Sequence, residues 1–100
     1  MRLAAPGSLL LSAGVGDVIR VGQSGELAIL ERSGNFFTVE WRRSPVLPAV
    51  TRRLSEGYGM PLDGENARIR LEPRRGSHAR IRVVADPSVR VRMERKAIPA

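Results

Sequence analysis

Ala67-Arg68-Ile69-Arg70-Leu71, Ala79-Arg80-Ile81-Arg82-Val83 and Val89-Arg90-Val91-Arg92-Met93 decide how this chain folds. In each stretch an aliphatic residue alternates with an arginine. A period of two is the period of a β-strand, in which successive side chains point to opposite faces. A helix could not gather Ala67, Ile69 and Leu71 on one side without burying Arg68 or Arg70 with them. Pro73–Ser77 and Asp86-Pro87-Ser88 separate the three stretches and read as turns. The C-terminal third is therefore three strands, each with an aliphatic face turned inward and an arginine face turned outward.

The same spelling continues towards the N-terminus. Asp17–Val21, Glu26–Arg32 and Phe36–Arg42 are short runs rich in β-branched and aromatic residues, parted by Gly22–Gly25 and Ser33–Asn35. Ile19 and Val21 share a face, as do Phe37, Val39 and Trp41. Leu27-Ala28-Ile29-Leu30 is apolar on both faces and suits a strand covered on both sides, or a sandwich core. Pro45 and Pro48 make Ser44–Ala49 a loop or a crossing between sheets. Val50–Leu54 reads as a short strand, with a short helix over Val50–Tyr58 as the alternative. Gly57, Gly59, Pro61 and Gly64 make Ser55–Asn66 a long loop turning at Asp63-Gly64. Residues 1–15 read as an N-terminal arm with one short strand at Leu9–Leu11, residues 16–96 as the domain and 97–100 as a tail. Seven or eight short antiparallel strands at this spacing predict an all-β fold, a single β-sandwich of jelly-roll or cupin-like form rather than an OB-type barrel.

Composition narrows the chemistry. One hundred residues fit one domain with a modest core. The absence of cysteine removes disulfides, thiolate metal sites and thiol nucleophiles. His78 is the lone histidine, in a turn beside Gly76 and Ser77, and does not spell a metal centre. The serines occupy turn-like contexts and no nucleophile elbow surrounds any of them. Gly14-x-Gly16 and Gly57-x-Gly59 lack the lysine and helix of a phosphate loop. The expectation is a non-enzymatic protein with no metal and no cofactor. No apolar run approaches the roughly 18 residues of a membrane span. Arg2 and Leu9–Leu11 make a poor signal peptide, so the expected location is the cytoplasm.

The charge is the feature with specific physics. There are 17 Lys+Arg against 10 Asp+Glu, a net charge of +7. Lys96 is the single lysine, so the cations are almost all planar, fork-shaped guanidiniums. If the last three strands lie side by side, Arg68, Arg70, Arg80, Arg82, Arg90 and Arg92 share one face, extended by Arg74, Arg75, Arg95 and Lys96. Like charges directly opposite on a sheet destabilise it, so something should offset them. Three readings stand: phosphates of a nucleic acid, an acidic protein surface in an assembly, or plain solvation with the strands divided between sheets. Single-strand binders stack bases on exposed aromatics. Phe36, Phe37, Trp41 and Tyr58 all lie outside the arginine strands, and Phe37 and Trp41 read as core. Nucleic-acid binding would then be electrostatic and unspecific.

Gly16-Asp17-Val18-Ile19-Arg20-Val21-Gly22, Phe36-Phe37-Thr38-Val39-Glu40-Trp41 and Arg53-Leu54-Ser55-Glu56-Gly57-Tyr58-Gly59, followed by the arginine strands, resemble small cupin-like β-sandwich structural proteins of tailed bacteriophages. The resemblance spans roughly residues 16–94 and rests on short motifs. It implies a virion component, a capsid decoration (cement) protein or a head or tail accessory protein, assembled as a homo-oligomer such as a trimer or ring. It further implies that the arm, with Leu9, Leu10 and Leu11, clamps onto a neighbouring subunit while the basic strands dock on virion or scaffold subunits. The alternative is the electrostatic nucleic-acid-binding module.

Overall fold

A computed structural model describes residues 7–73, 76 and 78–95. Among these it has nine strands and no helix: β1 (Gly7–Ala13), β2 (Val18–Val21), β3 (Gly25–Ser33), β4 (Phe36–Arg42), β5 (Val50–Ser55), β6 (Gly59–Leu62), β7 (Ala67–Glu72), β8 (Ala79–Ala85) and β9 (Val91–Glu94). They form two antiparallel sheets, which we term A (order β1-β8-β7-β6) and B (order β5-β4-β3-β2-β9). No helix among the described residues is long and apolar enough to cross a membrane.

Alternation builds the core. Ile19, Val21, Leu27, Ile29, Phe37, Val39 and Trp41 from sheet B join Leu62, Ile69, Leu71, Ile81 and Val83 from sheet A in one cluster, each almost wholly removed from water. Burying each such side chain contributes roughly 1.5–3 kcal/mol before conformational entropy is counted. The β3–β4 turn is the two-residue hairpin expected at Ser33–Asn35. Gly34 there has φ 60, which suits the first position of a tight hairpin whose twist matches its strands.

The chain runs as two meanders, β2 to β5 in sheet B and β6 to β8 in sheet A, and the terminal strands are exchanged between them. β1 pairs with β8 in seven consecutive register positions, from Gly7↔Ala85 to Ala13↔Ala79. β9 pairs with β2, from Val18↔Glu94 to Val21↔Val91. Residues 7–13 are thus an integral strand and not a free arm; residues 1–6, 74, 75, 77 and 96–100 lie outside the described residues. The wiring specific to a jelly roll or cupin is not seen in this strand order.

One local expectation is corrected and two alternatives are decided. Ser55–Asn66 is not one long loop, because Gly59–Leu62 forms β6 against β7. Pro61 is tolerated there because β6 is the edge of its sheet, where no neighbour needs its missing N–H. The run at Val50 is the expected strand, β5, and not the alternative helix. Leu27 and Ile29 lie in the sandwich core, the second of the two readings, while a register shift between Ile29 and Glu31 bulges Leu30 out, leaving it exposed.

Trp41 ties the two sheets together. Its Nε1–H donates to the carbonyl of Asp63, 3.1 Å away, in the turn between β6 and β7. Its ring lies over Gly25, where an added Cβ would clash with Trp41 Cη2 and stand 2.6 Å from the carbonyl oxygen of Val21. Gly25→Ala is therefore expected to lower stability by about 1–3 kcal/mol through overpacking and to shift the tryptophan fluorescence. Gly34→Ala, with open space around the new Cβ, should cost about 1–2 kcal/mol of backbone strain and leave that fluorescence unchanged. Chemical denaturation of the two variants, followed by fluorescence, separates the mechanisms.

Candidate docking face

Strand parity and register determine where the arginines go. On β7 and β8 the odd-numbered Ile69, Leu71, Ile81 and Val83 are buried, so Arg68, Arg70, Arg80 and Arg82 project from the outer face of sheet A. The β7–β8 register sets Arg70 directly opposite Arg82, Arg80 opposite Glu72 and Arg68 opposite Val84. β1 continues the rows with Ser8 beside Val84, Leu10 beside Arg82 and Ser12 beside Arg80.

Arg90 and Arg92 are not part of this face. The supposition that the last three strands lie side by side fails at Asp86-Pro87-Ser88. There the Asp86 carboxylate accepts hydrogen bonds from the backbone N–H and the hydroxyl of Ser88, at 2.9 and 2.7 Å, and the Val89 N–H donates to the Asp86 carbonyl. The two bonds from Ser88, the hydroxyl's first and then the backbone N–H's, hold the Asp86 carboxyl below its ordinary value. The chain then crosses to sheet B, where the Gly22 N–H donates to the Arg90 carbonyl and Arg92 lies opposite Arg20.

The two outer faces differ in charge. On sheet B, Arg20, Arg42, Arg53 and Arg92 are matched by Glu26, Glu31, Glu40 and Glu94, each placed outward by the register. Arg20 is bonded on both sides, to Glu26 at 2.6 Å and Glu94 at 2.7 Å. On sheet A, four arginines face one carboxylate, Glu72. Glu72 accepts from Arg82 Nε at 2.9 Å and lies 3.9 Å from Arg70 Nε, its side chain only 17% exposed. Arg82 also donates to Ser8 Oγ at 2.8 Å, and Arg80 to the Pro73 carbonyl at 3.4 Å. The Arg68 guanidinium has no ion pair or hydrogen bond among the described residues. A shallow depression of about 430 Å³ opens between Gly59, Pro61, Arg68, Arg70, Arg82 and Val84, where β6 carries no long side chain to fill it.

Of the six arginines singled out from sequence, four are brought together and two are removed. Arg95 also leaves the field, its guanidinium 3.6 Å from Asp17, while Arg74, Arg75 and Lys96 lie outside the described residues. Leu9, Leu10 and Leu11 fall in β1, with Leu10 on the outer face and Leu9 and Leu11 on the inner. Sequence reading missed Glu72, although it continues the parity of Arg68 and Arg70. It missed Gly59, Pro61, Ser8 and Val84 because their places depend on which strands become neighbours. Comparison with known proteins finds no matching family model, no matching curated protein and no matching solved structure.

Two predictions follow from these charges. Arg70→Thr, which removes one member of the like-charged pair, should raise stability by about 0.2–1 kcal/mol at low salt. Glu72→Gln should lower it by about 1 kcal/mol. Both effects should shrink in thermal melts at high salt. Arg20 holds the Glu94 carboxyl below its ordinary value of 4.5, first through their hydrogen bond. A carboxylate depressed by folding contributes stability that is complete above its unfolded value and is lost as pH falls through the lower folded one. Melts between about pH 7 and pH 3 should show that loss in the native chain and a smaller one in Glu94→Gln.

Proposed function

We propose that this protein is a non-enzymatic assembly module that docks through the outer face of sheet A on an acidic protein surface. The observation that carries the proposal is the contrast in charge between the faces. Sheet B carries as many outward glutamates as outward arginines, which suits a face left in water. Sheet A sets four outward arginines against a single outward glutamate, which pairs with two of them. An acidic partner supplies the missing counter-charge. Leu10, 38% exposed, and half-buried Val84 lie among these arginines. Arginine mixed with apolar side chains is the composition of a protein interface. A virion component, a capsid decoration or a head or tail accessory protein, is the finer form of this proposal and draws on the motif resemblance.

One observation favours phosphate instead. Arg68 and Arg70 lie two residues apart on one strand, roughly 6.6 Å, and Arg82 completes an open basic notch that a polyanionic backbone could follow.

The test uses poly-L-glutamate and a duplex of about 20 base pairs as probes, at about 50 and 200 mM salt. Polyglutamate should bind the native chain, and the double variant Arg70→Gln, Arg82→Gln should weaken it at least about tenfold. Arg92→Gln, on the balanced face, should change it less than about twofold. Tighter duplex binding that falls steeply with salt would replace the protein partner with nucleic acid. Equal effects of the Arg82 and Arg92 changes, or no binding of either probe, would overturn the proposal.

A further inference from the structure

Each of the two sheets has two edges, and three of the four are guarded. β6 carries Pro61, β5 carries the exposed Arg52 and Arg53, and β9 is four residues long and bears Arg92 and Glu94. Proline, charge and brevity are the usual devices against edge-to-edge pairing. β1 has none of them. It runs for seven residues, Gly7-Ser8-Leu9-Leu10-Leu11-Ser12-Ala13, with no charge and no proline, and it pairs with β8 without a register shift. Among the described residues no strand pairs with its outer backbone edge. Leu9 and Leu10 are 44% and 38% exposed.

We infer that β1 is a homodimer interface, in which β1 of a second copy pairs antiparallel with it about a two-fold axis at Leu10. The sequence of the strand is what selects a second copy. Read outward from Leu10, it is nearly the same in both directions: Leu9 and Leu11, then Ser8 and Ser12, then Gly7 and Ala13. An isologous interface must be self-complementary, and this register meets the requirement at every pair. Leu9 meets Leu11 of the other copy on the inner face, where Leu11 already packs against the core. Leu10 meets Leu10 on the outer face, and serine meets serine beyond.

Charge points the same way. A second copy is also at +7, so contact between the arginine faces is opposed. The β1 edge brings no charged side chain opposite another. The nearest facing guanidinium stems, those of Arg82 in the two copies, stand three strand spacings apart, about 14 Å at the backbone. That exceeds the screening length of about 10 Å at 0.1 M salt. The pairing would merge the two A sheets into one eight-stranded sheet whose outer face carries both arginine patches.

Three measurements on the full chain test the inference. Sedimentation velocity from about 5 to 200 µM should show a monomer passing to a dimer. Leu10→Arg, which would set two guanidiniums directly opposite, should raise the dissociation constant at least about tenfold. The chain has no cysteine, and residues directly opposite in an antiparallel pair meet the geometry of a disulfide. Leu10→Cys should therefore form a disulfide-linked dimer on mild oxidation much faster than Ser24→Cys in the β2–β3 turn, and this readout stands even if Leu10→Arg fails to fold. A native chain that stays monomeric at the highest concentration would overturn the inference. So would a folded Leu10→Arg variant that still dimerises, or equal crosslinking of the two cysteine variants. None of these outcomes depends on whether an acidic partner binds the arginine face.

Discussion

Every strand of this protein must bury one side against the opposite sheet, and a chain with so few large side chains can satisfy that requirement in few ways. The aliphatic residues of β7 and β8 are of modest size. They need the bulk of Phe37 and Trp41 from β4 facing them. Trp41 then fixes the relation of the layers, since its ring requires the gap at Gly25 and its N–H requires the Asp63 carbonyl. The exchange of terminal strands completes the enclosure. With β1 added to sheet A and β9 to sheet B, each sheet is anchored by chain arriving from the other, so neither can separate without breaking a ladder.

Burial of the aliphatic parity forces the arginine parity outward, and the difference between the sheets then arises from the residues that share that parity. In sheet B, glutamates occur at outward positions on β2's neighbours, and Arg20 is held by one on each side. In sheet A the outward neighbours are serine, leucine, valine, glycine and proline, none of which can offset a charge. Glu72 alone is shared between Arg70 and Arg82. Among the described residues the arginine excess is thus concentrated on one side by topology, although the arginines are spread along the sequence.

This separates what could be read in the sequence from what could not. Parity is a local property, so Ile69, Leu71, Ile81 and Val83 were legible as core and their arginine neighbours as surface. Adjacency is not local. Nothing in Val89–Met93 distinguishes a third strand of the same sheet from a strand that crosses to β2; the difference lies in the Asp86–Ser88 turn and the Gly22 N–H that receives the crossing. β6 was hidden for another reason. Its glycine and proline carry the signature of a loop, and only its place at an edge makes them compatible with pairing. The leucines of β1 were visible as an apolar cluster, but a three-residue cluster gives no sign of a seven-residue ladder with β8.

Edges and faces are coupled in this architecture. A sandwich whose outer face carries uncompensated charge resists stacking face to face with its own kind, so self-association is directed to an edge. Three edges are closed by proline or charge, and the fourth is a neutral, nearly palindromic strand one position from the arginine rows. Antiparallel pairing through that strand would leave both basic faces on the same side of a continuous sheet. The spacing of the two patches would then be set by backbone hydrogen bonds and not by flexible side chains, giving an acidic partner with repeated carboxylates two sites to engage at once. Two linked contacts raise avidity without any new contact within either site. The same strand order that removed Arg90 and Arg92 from the basic face thereby offers a way to double it.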